Sequence, residues 1–240
     1  EPDGELHAGF RLARDGEYLG LVRPDGTIAS EFKPGLPALE TDRSYGVSMM
    51  GDGKTLLPAG VEVSYLVPTS THSNDRWTVF SYEENDDWQR GKTGIGFQRN
   101  GNFGGLVATK ISSSSRSIYM RSTFHIEDLE GLARLMLRIR YDDGFIAYLN
   151  GSRVAEDNAP AKPKYNSYAT GQNKNDSFRN FDLSRQIHRL KQGKNVLAVH
   201  CMNFRESVSQ RDILLLPTLI SSREADIDPA NTVFLSTPTP

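Results

Sequence analysis

One cysteine, Cys201, occurs in 240 residues. No intrachain disulfide can form, so the fold has to be held by its core, and a chain of this length can bury one without covalent staples. The compartment stays open on this ground alone. Long apolar runs are missing as well: the run ILLL at 213–216 falls far short of the roughly 20 residues that a membrane helix requires. A soluble chain without membrane insertion is expected. Charge of one sign is scarce, with 28 Lys and Arg against 30 Asp and Glu, a formal net charge of −2 and a pI near 6.3. Phosphate binding needs clustered, uncompensated cations, so no nucleic-acid partner is expected and a polyanionic ligand is disfavoured globally. No basic, apolar, small-residue signal segment opens the sequence at Glu1, and any secretion signal is expected outside it.

What the sequence does have is turns and short β-type runs. Residues 10–32, FRLARDGEYLGLVRPDGTIASEF, carry three runs punctuated by Asp15-Gly16 and Asp25-Gly26, the spacing of an antiparallel meander. Residues 33–46 hold two prolines and no period, which reads as a linker, and a strand pair is expected around GDGKTLLPAGVEVSYLVP at 51–68. Between 72 and 111, Trp77, Phe80, Tyr82, Trp88, Phe97 and Phe103 stand among turn residues and glycines. Such glycine density inside β-runs suggests bulges and close backbone packing. The run IYMRSTFHI (118–126) alternates, and LMLRIRY (135–141) puts Leu135, Leu137, Ile139 and Tyr141 on one face. Between them, EDLEGLARL (127–135) is helix-like, but its interior Gly131 costs about 1 kcal/mol relative to Ala, so a short turn or loop is expected. Residues 156–180 are polar, without period and too long for an ordinary connection, which makes them a candidate functional loop. The end of the chain gives a short helical turn, a strand at NVLAVHCMN and a final strand at DILLLPTLI. The expected fold is all-β, an antiparallel β-sandwich.

A family resemblance rests on the stretch YDDGFIAYLNGSRVA (141–155) and the residues after it as far as Asn203. The order strand, DDGFIAYLNGSRVA, loop, FDLS, LKQGKNVLAVHCMN resembles the galactose-binding-like jelly roll of the sugar-binding domains in family 2 glycosidases. Upstream, DDWQRGKTGIGF (86–97) is similar to the stretch that precedes such jelly rolls in large bacterial surface proteins. Residues 5–46 resemble the C-terminal half of a bacterial lamin-tail domain, an immunoglobulin-like module, without that family's first strands. NTVFLSTPTP (231–240) is similar to the segment that comes after such modules. The organisation implied is a partial lamin-tail-like segment at 1–48, a linker or edge strands at 49–64, the jelly roll at 65–222 and a C-terminal tail at 223–240. The resemblance also implies a secreted, extracellular or cell-surface bacterial protein with covalently linked neighbouring domains.

The candidate chemistry is sparse. Asp142 and Asp143 are explained by turn formation, since Asp before Gly bonds to nearby backbone and tolerates the left-handed region. They are also hard oxygen donors, similar to the adjacent aspartates of yeast flocculin-type adhesin loops, and two of the 6–8 oxygens that Ca²⁺ takes. Both readings stand on sequence, so no cofactor is required and a structural calcium is the one metal considered. Carboxylates for glycoside hydrolysis are numerous but lie in turn-rich segments, and the five histidines lack metal-ligand spacing. GKTGIG (91–96) lacks the order and context of a phosphate loop, and no GxSxG elbow occurs. Binding is therefore expected, without catalysis. A glycan or polysaccharide is the expected partner, because exposed aromatic rings cover the apolar faces of sugars while amides and charged groups meet the hydroxyls. The candidate sugar contacts are Tyr165, Asn166, Tyr168, Asn175 and Arg179 in the long loop, whereas Trp77 and Trp88 are assigned to the core. The expected function is a noncatalytic carbohydrate-binding module. The alternatives are a structural spacer or protein-docking module with no sugar site and, as an outsider, a glycoside hydrolase.

Overall fold

The computed structural model describes residues 9–39, 45–47, 53–98, 103, 105–173, 177–204, 212–223 and 232–234. The chain forms two compact units, Glu1–Gly51 with Ile227–Pro240, and Asp52–Asp226. In the first unit, β1 (Leu19–Val22) and β2 (Ile28–Phe32) form an antiparallel hairpin. Its turn is set by Gly26 at φ 83° and by Asp25, whose carboxylate accepts from the Thr27 N–H at 2.9 Å. Of the three runs expected here, the second and third make this hairpin, and Phe10–Ala13 forms no strand. A short pair joins β3 (Tyr45–Val47) to the last strand, β16 (Thr232–Phe234).

The second unit is an antiparallel β-sandwich. Its strands are β4 (Lys54–Leu57), β5 (Glu62–Leu66), β6 (Gln89–Lys92), β7 (Ile95–Phe97), β8 (Thr109–Lys110), β9 (Ser117–Ile126) and β10 (Leu132–Asp142). They continue with β11 (Gly144–Leu149), β12 (Ser152–Asp157), β13 (Arg179–Asp182), β14 (Gly193–Met202) and β15 (Ile213–Arg223). One sheet has the order β13-β10-β15-β7-β8 with β4 also on β15, and the other has the order β12-β11-β14-β9-β5-β6. The short β7–β8 pair is parallel. Gly96 explains the close passage of β7: a Cβ there would lie 1.9 Å from the Ile213 carbonyl oxygen.

The core between the sheets follows the alternation of the sequence. Leu135, Leu137, Ile139 and Tyr141 of β10 meet Ile118, Met120 and Phe124 of β9 and Leu197, Val199 and Cys201 of β14. Full burial of each such aliphatic side chain is worth roughly 1.5–3 kcal/mol. Cys201 is a core thiol, with burial pushing its pKa up and its Sγ donating to the carbonyls of Asp142 and Leu214 at 3.5 Å. The helix-like segment 127–135 is no helix: it turns at Gly131, φ 67°, and enters β10 at Leu132.

Asn150 and Gly151 close the β11–β12 hairpin with φ 50° and 91°, the positive values that a two-residue turn of this hand needs at both positions. The Asn150 side chain is held on three sides. Its Nδ2 donates to the Arg189 carbonyl at 2.9 Å and to Asn195 Oδ1 at 2.8 Å, and its Oδ1 accepts from the Val196 N–H at 2.9 Å. The long polar connection is shorter than the sequence suggests, because Glu156 and Asp157 complete β12 and Arg179 and Asn180 open β13.

The sheet that contains β11, β14 and β9 is covered on its outer face too. A second apolar cluster there joins Tyr119, Ile146, Tyr148, Val196, Ala198 and Met202 of the strands to Leu66, Trp77 and Ala169. The cover is made by the segment between β5 and β6 and by the loop after β12.

Candidate functional site

The segment between β5 and β6 is rich in small polar caps that bend it twice. Thr69 donates its N–H to His72 Nδ1 at 3.1 Å, closing a first 3-10 turn at Ser70–His72. Asn74 accepts from the Arg76 N–H at 3.0 Å and opens a second at Asp75–Thr78. That second turn drives the Trp77 indole onto the sheet, leaving it 4% exposed and stacked on Tyr119 with centroids 4.1 Å apart and planes 11° apart.

One buried side chain fastens the whole segment. Arg121, which projects from β9, donates to the carbonyls of Trp77, of Val79 at 3.1 Å and of Tyr82 at 3.4 Å. Its Nε donates to Glu84 at 3.0 Å, and its guanidinium lies 5.2 Å from the Tyr82 ring centroid. Four successive anchor points are thus met by one planar donor fork. Trp88 then folds back, its Nε1 donating to the Tyr82 hydroxyl at 3.3 Å.

Between these groups lies a cavity of ≈ 470 Å³. Tyr82 and Trp88, both half-buried, line it together with the buried Trp77 and Tyr119. Its polar wall is His72, Asn74, Arg76 and Glu83. His72 is oriented by Asp87, 3.2 Å from its Nε2. Glu83 is the one carboxylate among the described residues that line the cavity. Beside Tyr119 on the same sheet face, His200 packs edge-on against it at 4.7 Å. It is 2% exposed, its Nε2 has no hydrogen-bond partner among the described groups, and burial holds its pKa down at about 3. Burial likewise pushes Tyr148 up to about 12.

No family model and no curated protein matches the sequence. Among solved structures, the chain is similar to a β-glucuronidase of an uncultured Clostridium sp., with TM-score 0.43 and 12% identity over 79% of this chain and 30% of that one. A Bacteroides uniformis β-glucuronidase gives TM-score 0.43 and 13% identity over 71% and 18%. A β-glucuronidase from glycoside hydrolase family 2 gives TM-score 0.42 and 14% identity over 77% and 18%. The chain spans less than a third of the length of these enzymes.

The residues singled out in the long loop have separate surroundings. Tyr165 is half-buried against the outer cluster and its carbonyl accepts from Ser117 Oγ at 2.7 Å. Asn166 is exposed, and Tyr168 lies under the Arg116 guanidinium, 5.6 Å from the ring centroid. Arg179 is engaged elsewhere, paired with Asp157 and donating to the Tyr141 hydroxyl at 2.8 Å. Asn175 lies outside the described residues. The expectation of a core role holds for Trp77, whereas Trp88 is half-buried and lines the cavity.

Asp143 is 8% exposed and acts as a fastener. Its carboxylate accepts from the N–H of Phe204 at 2.7 Å and of Asn173 at 3.3 Å, tying the exit of β14 to the long loop. Asn158 donates to its carbonyl at 3.0 Å. Among the described residues, no group of three or more His, Cys, Asp or Glu side chains is placed to hold a metal ion. Ca²⁺ takes 6–8 oxygens, so backbone or amide carbonyls would have to complete a site at the two aspartates. Asp143→Ala is expected to cost about 1.5–3 kcal/mol through the loss of hydrogen bonds to a charged acceptor, read by urea unfolding. The same protein melted in excess Ca²⁺ and in EDTA gives superimposed curves if the aspartates only fasten loops, and a melting temperature that rises with Ca²⁺ if they bind it.

Proposed function

We propose that this chain is a noncatalytic carbohydrate-binding module of a secreted or cell-surface protein, built on a galactose-binding-like jelly roll. The observation that carries this reading is the cavity walled by Tyr82 and Trp88 and edged by His72, Asn74, Arg76 and Glu83. Its volume falls within the ordinary range for small-ligand sites, about 300–1,000 Å³, and its mixture of ring faces and polar groups suits a pyranose. Glycoside hydrolysis would use two carboxylates facing one bond; Glu83 lines the cavity, and Asp87 stands behind His72. The loop residues Tyr165, Asn166, Tyr168 and Arg179 form the competing placement of the sugar contacts.

A glycan array followed by calorimetry on the best ligand tests the reading. Trp88→Ala is expected to weaken binding by about tenfold or more, close to 1.4 kcal/mol. The double variant Tyr165→Ala/Tyr168→Ala is expected to bind as the parent does, at some cost in stability because both rings are half-buried. The reverse pattern moves the site into the long loop. A parent that binds no glycan leaves a spacer or protein-docking module.

A further inference from the structure

A second depression of ≈ 370 Å³ adjoins the first, and Tyr82 and Glu83 line both. It runs over the same outer sheet face, because Thr123 of β9 and Lys194 and Val196 of β14 line it, and these share the outward parity of Arg121 and Ala198. Besides Tyr82, its aromatic lining is Phe80, 41% exposed. Lys191 Nζ stands 5.9 Å from its centroid, and Lys194 and Arg90 line the same depression.

The acids nearby do not balance them. Glu84 is held by the buried Arg121 at 3.0 Å and by Ser64 Oγ, which donates to it at 2.5 Å, and it meets Arg90 at 3.5 Å. Lys191 and Lys194 form no ion pair among the described residues. Glu83 sits at the junction of the two depressions, on the side of the first cavity. The near-neutral charge of the chain speaks against a polyanion spread over its surface, but it does not describe this edge.

Resting on the carbohydrate reading above, we infer that the groove continues past Tyr82 into a second subsite that takes an acidic sugar. The ligand is then an internal stretch of a polysaccharide whose residues carry carboxylate or sulfate groups. One sugar packs on Trp88 and Tyr82, and the next lies toward Phe80 with its acidic group toward Lys191 and Lys194. Exposed ammonium groups attract such a ligand without a large burial penalty, and their attraction is screened by salt.

The test is calorimetry with three tetrasaccharides, an oligogalacturonate, a sulfated galactan fragment and neutral galactotetraose. The parent is expected to bind at least one acidic tetrasaccharide about tenfold more tightly than the neutral one, with the advantage lost on going from about 0.05 to 0.5 M salt. Lys191→Ala/Lys194→Ala, a change of two exposed side chains, is expected to remove that advantage and leave neutral binding and the melting temperature unchanged. The carboxylate and sulfate arms identify the acidic group. Equal affinity for neutral and acidic chains, or a double variant that binds acidic chains as the parent does, overturns the second subsite. If Trp88→Ala abolishes binding while the lysine variant changes nothing, the first cavity stands and the second falls. If the parent binds no saccharide, both fall together.

Discussion

Arg121→Met is expected to destabilise the sandwich unit by on the order of 3–5 kcal/mol and to abolish ligand binding with it. The substitution roughly keeps the bulk of the side chain but removes every guanidinium donor that meets Trp77, Val79, Tyr82 and Glu84. Three carbonyls and a carboxylate then lose the guanidinium; Val79 keeps the Tyr82 N–H and Glu84 keeps Ser64 and Arg90, but each buried group that loses its donor costs more than the net worth of the bond. Urea unfolding reads the global loss. Hydrogen exchange reads the local one, with amides of residues 77–84 exchanging faster than those of β14. Arg121→Lys should recover only part, because an ammonium cannot reach four acceptors spread along a loop. A methionine variant as stable as the parent would show that Trp77 packing alone holds the segment.

Acid should loosen the same layer through a different group. His200 is neutral in the folded unit down to about pH 3, whereas in an unfolded chain it takes up its proton near pH 6.5. Above pH 6.5 both states are neutral and the residue adds no pH dependence. As pH falls from 6.5 toward 3, the unfolded chain binds a proton that the fold excludes, so stability is lost, on the order of 4–5 kcal/mol over the whole interval. His200→Leu removes this term while filling the space beside Tyr119. The difference in unfolding free energy between parent and variant should therefore grow steadily in the variant's favour between pH 6.5 and 4. A constant difference would mean that the imidazole finds a proton partner inside the fold.

The sandwich itself is legible in the sequence, because the strands that build its core alternate cleanly. β10 carries Leu135, Leu137, Ile139 and Tyr141 inward, and β9 carries Ile118, Met120 and Phe124. The cavity is not legible, although its aromatic residues stand out in the sequence. Rings set among turn signals suit a core, and Trp77 obeys that expectation, while Trp88 packs against the outer cluster and lines the cavity as well. The signal that could have found the cavity lies in FIAYL and VLAVHCM, which are apolar or buried on both faces although they belong to one sheet of a two-sheet sandwich. Strands of that kind require a second cover, and the aromatic segment 72–88 is the candidate to supply it. Arg121 is a further clue, since a charged residue at the centre of an otherwise buried strand has to be met by several acceptors. The loop after β12 is legible only in part: its composition suits sugar contacts, but composition does not reveal the neighbours that Arg179 and Tyr165 meet.

The three-sided hold on the Asn150 side chain has a consequence for how the protein ages. Asn followed by Gly is the dipeptide most prone to deamidation, because an unhindered glycine nitrogen can attack the side-chain amide carbon and expel ammonia through a cyclic imide. That attack requires the amide to swing toward the Gly151 nitrogen. Here both of its ends are occupied, the oxygen by the Val196 N–H and the nitrogen by Arg189 and Asn195. The tightest turn of the sandwich is thus chemically guarded for as long as it stays folded, and the clock on this position starts only when the hairpin opens.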